Sequence, residues 1–156
     1  ITPLTELTLM FAARAQHVEQ VILPALQRGR VVLCDRFTDS SVAYQGYGRG
    51  VALETIAALE KLLCQGVRPD LTLLLDIDVQ TALHRTAARN RQADQPDTRF
   101  EREGAEFFDR VRREYLEIAR QEPQRVKVIE SSGSIENVQQ AVRGVVQEFL
   151  KGTHGV

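Results

Sequence analysis

Short apolar runs alternate with helix-like segments along this chain, and that alternation restricts the possible folds more than any other feature. Apolar runs at 31–34 and about 71–77 predict buried strands, and the weaker run "RVKVIE" predicts a third. Apolar residues recur at helical spacing over 5–26, 51–64, 79 to about 89, 104 to about 121 and 135–150. We therefore predict an α/β fold, in which helices cover both faces of a parallel sheet.

Length, charge and hydropathy narrow the class of protein further. The 156 residues suit a single domain spanning 1–156, and the net charge of −1 argues against a generic nucleic-acid binder. No apolar run approaches the roughly 20 residues that a membrane span needs. We expect a cytoplasmic protein with no nucleic-acid partner and no membrane association. Cys34 and Cys64 lie in apolar surroundings without metal-ligand spacing, so we expect small buried side chains there.

Polar residues follow each of the three predicted strands. Asp35-Arg36 follows the first run, "DID" ends the second, and "ESSGS" follows the third. In parallel α/β sheets, ligands bind beyond the carboxyl ends of the strands. The sequence therefore predicts a ligand site at an edge where these three loops meet. Asp35-Arg36 taken alone is also typical of a structural pair that ties down a neighbouring loop.

The string "DRFTDSSVAYQGYGRG", which begins at Asp35, resembles the DR[YF] motif and following helix of thymidylate kinases. The resemblance continues through "LMFAARAQH" upstream and "RPDLTLLLDID" downstream, in the same order. It implies a P-loop NTPase-like, three-layer α/β/α fold. It also implies transfer of the γ-phosphoryl group of ATP to dTMP, giving dTDP for dTTP biosynthesis. Mg²⁺ as cofactor and a homodimer are further implications.

The resemblance assigns roles to the residues of this string. Arg36 would hold the acceptor phosphate, as a guanidinium fork suits two phosphate oxygens. Asp35 would lie near the Mg²⁺ and the transferring phosphate, because carboxylates suit that cation. Ser41 would lie against the thymine ring, Gln45 would hydrogen-bond the base, and Tyr44 would crowd the 2′ position of the sugar.

A second group of implied substrate contacts lies upstream. Arg14 matches an arginine that reaches the base carbonyl or the acceptor phosphate. The family places a Phe four residues earlier, stacked on thymine, where this sequence has Met10; Phe11 follows one position later. Either Met10 serves as the apolar platform or Phe11 supplies the stack, and core packing is the other interpretation of Phe11.

The Arg-rich, Pro-containing segment at about 90–103 resembles the LID loop of the family. Arg89, Arg91 and Arg99 are candidates to stabilise charge on the transferring phosphoryl group, with Arg99 also a candidate catalytic residue. A solvated charged loop is the alternative interpretation. "ESSGS" corresponds to the place where the family packs adenine.

One expected motif does not occur in these residues. A P-loop, G-x-x-x-x-G-K-[ST], holds the ATP phosphates in such kinases, yet the sequence contains no Gly-Lys pair. In the family this motif follows a central first strand, about 50 residues ahead of the matched region. We therefore expect this chain to be part of a longer kinase, and to be inactive and poorly folded alone.

Two other functions stay open at this point. One is a kinase for another nucleoside monophosphate or for a deoxynucleoside. The other is a non-catalytic nucleotide-binding domain that lacks a P-loop. A strand followed by a P-loop in the upstream reading frame would favour the kinase.

Overall fold

The computed structural model describes residues 1–93 and 103–153, except for the side chains of 89–93 and of residue 153. The chain divides into two compact units, Ile1–Pro69 and Asp70–Val156. Each unit has its own secondary structure and is described separately below. The assignment of 1–156 to a single domain stays a prediction.

A long helical stretch opens the first unit. Helix α1 (Pro3–His17) runs without a break through a π-helical turn (Val18–Ile22) into α2 (Leu23–Gln27). Its N-terminus has a side-chain cap, since the Thr5 amide donates to the Thr2 hydroxyl oxygen at 3.2 Å. Gly29 has a φ of +67°, the left-handed conformation that commonly ends a helix. The helix predicted over 5–26 is confirmed, but the sequence pattern did not indicate the π-helical turn.

The second half of this unit is also helical. A short helix α3 (Thr38–Ser41) continues into a π-helical segment (Val42–Gly48), and α4 (Leu53–Leu63) follows, close to the helix predicted over 51–64. A Cβ at Gly46 would lie 2.8 Å from Leu53 Cδ2, so a larger residue there would require the Leu53 side chain of α4 to shift.

The hydrophobic core of the first unit gathers apolar side chains from all of these elements. It comprises Leu7, Phe11, Val18, Ile22, Phe37, Ile56 and Cys64. Cys64 is buried in this core and Cys34 packs against it, as the sequence predicted. Burial raises the pKa of both thiols, so they behave as small apolar side chains.

The prediction of a buried strand at 31–34 is wrong for the structure. This segment forms no strand, and within the part of the chain that is described no other strand pairs with it. Its side chains nevertheless alternate: Val32 and Cys34 pack against the core, while Val31 and Leu33 are 86% and 95% exposed. The alternation is that of a strand, but strand assignment requires main-chain hydrogen bonds to a neighbour.

The second unit contains a parallel pair of strands. Strand β1 (Thr72–Asp76) pairs with β2 (Val126–Glu130) in the register Thr72↔Val126 to Asp76↔Glu130. Helices α5 (Val79–Ala93) and α6 (Ala105–Gln121) lie between the strands in sequence, and α7 (Ile135–Thr153) follows β2. Both strands and the parallel pairing agree with the sequence prediction.

The helices of this unit have clear sequence causes. Asp78 caps the start of α5, since its carboxylate accepts from the Thr81 amide at 2.9 Å, and Ser134 caps α7 in the same way, as predicted. Helix α6 packs on the strands through an apolar stripe that includes Phe107, Val111 and Ile118. Helix α5 extends to Ala93, four residues beyond its predicted end at 89. The rest of the predicted loop at 90–103 lies mostly outside the described residues.

Among the helices that the structure describes, none combines the length and the apolar character that crossing a membrane would require.

Candidate functional site

A cleft of about 380 Å³ opens in the first unit between α1 and the segment that follows residue 32. Its lining residues are Met10, Ala13, Arg14, His17, Leu33, Cys34, Asp35, Arg36 and Phe37. Three of the predicted site residues, Arg14, Asp35 and Arg36, thus line one cavity, although Arg14 lies more than 20 positions before the other two in the chain. The cleft is the first candidate for a functional site.

Helical periodicity explains the α1 side of the cleft. Met10, Ala13, Arg14 and His17 follow one another at spacings of three, one and three, which places them on one face of the helix. The "LMFAARAQH" string therefore presents one continuous stripe to the cavity.

Arg14 is held rigidly within this cleft. Its Nη2 donates to the Phe37 carbonyl oxygen at 3.1 Å, and its guanidinium carbon lies 4.5 Å and 5.5 Å from the ring centroids of Phe11 and Phe37. Its Nη1 is buried and has no hydrogen-bond partner among the described residues. Burial lowers the pKa of this guanidinium, which nonetheless remains a cation. A buried, unsatisfied donor on a fixed cation is suited to an anionic or carbonyl-bearing ligand.

Arg36 lies at the opposite wall, beside Asp35. Its φ of +62° is rare for a residue with a side chain, and such backbone strain often occurs at functional sites. The guanidinium lies 4.6 Å from the ring centroid of Tyr44, a cation–π contact that directs it. Cys34 Sγ lies 3.5 Å from the Arg36 carbonyl oxygen and donates to it, which fixes the turn.

The charges of the cleft determine its chemistry. Two guanidinium groups, Arg14 and Arg36, face one carboxylate, Asp35, so the cavity favours a ligand that carries negative charge. No group of three or more potential metal ligands occurs within 1–93 and 103–153. Asp35 alone still suits Mg²⁺, because this ion commonly binds through one or two carboxylates, water and substrate phosphates.

The other residues predicted to bind the substrate lie in the helical segments that follow Phe37. Tyr44 contacts Arg36, but Ser41 and Gln45 are only 1% and 3% exposed and do not line the cavity. The Gln45 amide nitrogen Nε2 instead donates to Glu6 Oε1 at 2.7 Å. The roles of Ser41 and Gln45 toward a base stay predictions.

The choice between Met10 and Phe11 has a structural answer. Phe11 has no exposed surface and packs in the core under Arg14, whereas Met10 is 41% exposed and lines the cleft. Its burial favours the core-packing interpretation of Phe11, and the exposure of Met10 favours Met10 as the apolar platform. Phe11 as a substrate contact stays a prediction.

A separate polar cluster occupies the carboxyl edge of the sheet in the second unit. Ser131 donates to the Asp76 carbonyl oxygen through both its amide and its hydroxyl, each at 2.8 Å. Arg112 forms two hydrogen bonds to the Asp76 carboxylate, at 2.7 and 2.8 Å, and these lower the pKa of Asp76. Arg85 donates to the carbonyl oxygens of Ser131 and Ser132, both at 2.9 Å. "DID" and "ESSGS" therefore share one edge, as predicted.

The three LID candidates are described incompletely. Arg89 and Arg91 belong to α5, but their side chains lie outside the described residues. Arg99 lies wholly outside them. The assignments of all three to phosphate binding stay predictions.

Sequence reasoning missed four residues of the first unit. Phe37 supplies a carbonyl and a ring to Arg14, and His17 lines the cleft. Glu6, which is buried, and Arg49, which is partly buried, form an ion pair with Arg49 Nε 3.6 Å from Glu6 Oε1. The helical stripe of Met10 and Arg14, extended by one turn in each direction, could have found Glu6 and His17. Phe37 and Arg49 both belong to the string "DRFTDSSVAYQGYGRG", but the resemblance was not used to give either residue a role.

Parallel strands connected through helices in the second unit, and a cleft lined by two arginines and an aspartate in the first, are each typical of nucleotide-binding proteins. Comparison with known proteins identifies the family. The family model described as "Thymidylate kinase" matches residues 1–142, and the chain therefore belongs to the thymidylate kinase family, a family of nucleotide kinases.

Individual relatives agree with this assignment. The chain is 50% identical over 155 residues to the thymidylate kinase of Pelobacter propionicus, covering 98% of this chain and 71% of that protein. It is 52% identical over 151 residues to that of Pseudomonas putida, covering 97% and 70%. The crystal structure of thymidylate kinase from Ehrlichia chaffeensis matches with a TM-score of 0.70 and 33% identity, covering 94% of this chain and 66% of that chain. The predicted α/β fold class is thereby confirmed.

Proposed function

We propose that the full-length protein transfers the γ-phosphoryl group of ATP to dTMP, and that the cleft of the first unit is its acceptor site. In this reaction the 5′-phosphate oxygen of dTMP forms a new P–O bond. The bond between the γ-phosphorus and the β-phosphate oxygen breaks, giving dTDP and ADP. The observation that carries this proposal is the unpartnered, buried Nη1 of Arg14, in a cleft that also holds Arg36 and Asp35.

The cleft residues would position the acceptor. Arg36 and Arg14 would hold the 5′-phosphate or, for Arg14, a base carbonyl, and fixing a reactant in this way lowers the entropic part of the barrier. Met10 would provide an apolar platform for the base, consistent with its exposure. Tyr44, which directs Arg36, would lie on the sugar side and disfavour a 2′-hydroxyl.

Asp35 would contribute one carboxylate toward Mg²⁺, either directly or through water. When bound with the nucleotide, Mg²⁺ neutralises charge on the phosphate oxygens. Asp35 is exposed within the cleft, so its carboxylate is accessible to such a ligand.

The donor side of the site would come from three further parts. A P-loop segment encoded ahead of Ile1 would hold the ATP phosphates, and its strand would pair with residues 31–34. The loop after β2 would contact adenine, and Arg89, Arg91 and Arg99 would cover the phosphates. The exposed Val31 and Leu33, with their strand-like alternation, support this arrangement. On this proposal the 156 residues alone are inactive.

We further propose that the full-length protein is a cytoplasmic homodimer that supplies dTDP for dTTP biosynthesis. The relatives of similar sequence are thymidylate kinases, which supports dTMP as the substrate.

The direct test is ADP formation by the purified full-length protein with ATP, Mg²⁺ and each nucleoside monophosphate in turn. The expected result is turnover with dTMP that exceeds that with dCMP, dGMP and dAMP. Turnover with thymidine but not with dTMP would contradict the proposal. The absence of turnover with every nucleotide tested would contradict it as well. The same assay on residues 1–156 should give no ADP above the uncatalysed rate.

A further inference from the structure

Among the described residues, the direct polar and aromatic contacts of Arg14 are all with uncharged groups. Its Nη2 donates to the Phe37 carbonyl oxygen at 3.1 Å, and its guanidinium carbon lies 4.5 Å from the ring centroid of Phe11 and 5.5 Å from that of Phe37. Within 1–93 and 103–153, no carboxylate forms an ion pair with this guanidinium. The charge of Arg14 is therefore not engaged by direct contact with an acid.

The arginines of the second unit show the contrasting arrangement. Arg112 donates two hydrogen bonds to the Asp76 carboxylate at 2.7 and 2.8 Å, and Arg120 donates two to Glu117 at 2.6 and 2.8 Å. A bidentate carboxylate uses the charge of an arginine within the protein, whereas a carbonyl oxygen and aromatic faces leave that charge available to an anionic ligand. The surroundings of Arg14 are of the second kind.

Phe37 connects Arg14 to the other charged wall of the cleft. Phe37 directly follows Asp35 and Arg36 in the chain, and like Arg14 it lines the cleft. Phe11 belongs to α1 together with Arg14, so its ring supports the guanidinium from within the same helix. Phe37 is 9% exposed and packs in the core, which fixes its own ring. Its ring and carbonyl therefore set the place of the Arg14 guanidinium relative to the turn at Arg36.

We propose that Phe37 is a positioning residue, whose ring holds the Arg14 guanidinium in the orientation that binds the ligand of the cleft. The inference rests on the proposed function, in which Arg14 contacts the acceptor nucleotide. It goes beyond that function because it assigns a role to a side chain that acts through Arg14.

The physical basis of this role is preorganisation. An arginine side chain has many rotamers, and a ligand that binds it must otherwise supply the free energy of ordering them. A cation–π contact is strongest for a desolvated cation, and the Nη1 of Arg14 is buried without a hydrogen-bond partner among the described residues. Loss of the Phe37 ring should therefore free the guanidinium and weaken ligand binding, although the backbone carbonyl remains.

The test is a double-mutant cycle for dTMP binding by the full-length protein, measured by isothermal titration calorimetry. We expect Phe37→Leu to raise the Kd for dTMP at least about fivefold, because the cation–π contact and the ordering of Arg14 are lost. In the Arg14→Met background the same substitution should change the Kd by less than about twofold, since the group that the ring positions is absent. Phe37→Tyr retains the ring and should bind dTMP within about twofold of the unmodified protein.

Phe107→Leu is the matched control, because it removes a phenyl ring that is 4% exposed in the second unit. Like Phe37→Leu it should lower the midpoint of urea denaturation, but it should leave the Kd for dTMP unchanged. If Phe37→Leu does not fold, as judged by circular dichroism, Phe37→Met takes its place in the cycle with the same expected results.

Three results would overturn the inference while turnover of dTMP by the unmodified protein upholds the proposed function. The first is an unchanged Kd in folded Phe37→Leu or Phe37→Met. The second is a rise in Kd that persists in full in the Arg14→Met background, which would indicate a general structural role. The third is an equal rise in Phe37→Tyr and Phe37→Leu. Failure of the unmodified protein both to bind and to phosphorylate dTMP would overturn the proposed function and the inference together.

Discussion

Truncation of Phe11 should mainly destabilise the fold, whereas truncation of the adjacent Met10 should mainly weaken substrate binding. Phe11 is 0% exposed and packs against Leu7, Val18 and Ile56 in the core, and its ring supports Arg14 at 4.5 Å. Phe11→Ala should therefore lower the free energy of unfolding by about 3–5 kcal/mol, the usual cost of such a cavity. Met10 is 41% exposed, and Met10→Ala should lower it by less than about 1 kcal/mol.

Urea denaturation of the full-length protein measures this difference. With a slope of about 2 kcal/mol per molar, Phe11→Ala should move the midpoint down by about 1.5–2.5 M and Met10→Ala by less than about 0.5 M. In the kinase assay, Met10→Ala should raise KM for dTMP about fivefold through loss of apolar contact with the base. A small midpoint shift in Phe11→Ala, accompanied by a large rise in KM for dTMP, would refute the assignment of Phe11 to the core.

Three further predictions concern stability. The hydrogen bonds from Arg112 lower the pKa of Asp76. The pair therefore stabilises the protein above the ordinary carboxyl pKa of about 4, and this contribution is lost as the pH falls through the lowered pKa. Asp76→Asn should remove this acid-dependent loss in thermal melts recorded between pH 7 and pH 2. Burial raises the pKa of Glu114. The folded state therefore loses stability as the pH rises through this raised pKa, because a charged carboxylate must then be buried. Glu114→Gln should raise Tm at pH 7, and a lower Tm would contradict this. Gly46→Ala should lower Tm slightly, since its Cβ would meet Leu53 Cδ2 at 2.8 Å, and an unchanged Tm would show that the Leu53 side chain shifts without cost.

Much of the fold follows from periodicity in the sequence. The helix at α6 was predictable because its apolar residues recur at helical spacing, and the strands at β1 and β2 because their apolar runs are short and bounded by polar residues. Hydrogen bonding between strands is a long-range property that no local pattern reports. This is why residues 31–34 have the alternation of a strand and yet form none in the part of the chain that the structure describes.

The sequence could predict those residues of the candidate site that belong to short local motifs. Arg14, Asp35 and Arg36 were identified from strings of sequence, and the structure places all three in one cleft. The contact between Glu6 and Gln45 spans 39 positions and depends on how two helical elements pack, so spacing could not indicate it. The choice between Met10 and Phe11 likewise required the packing of the core, because neighbouring helical positions differ by only about 100° in direction.

Equilibrium binding of dTMP tests the central claim, that the cleft of the first unit is an acceptor site. Isothermal titration calorimetry compares full-length Arg36→Met with Arg28→Met, which removes an exposed charge outside the cleft in the same unit. We expect Arg36→Met to weaken dTMP binding at least about tenfold, because charge-assisted hydrogen bonds to a phosphate contribute roughly 1.5–3 kcal/mol. Arg28→Met should bind dTMP with the original affinity. Equal affinities of the two variants, or no binding of dTMP by the unmodified protein, would contradict the account.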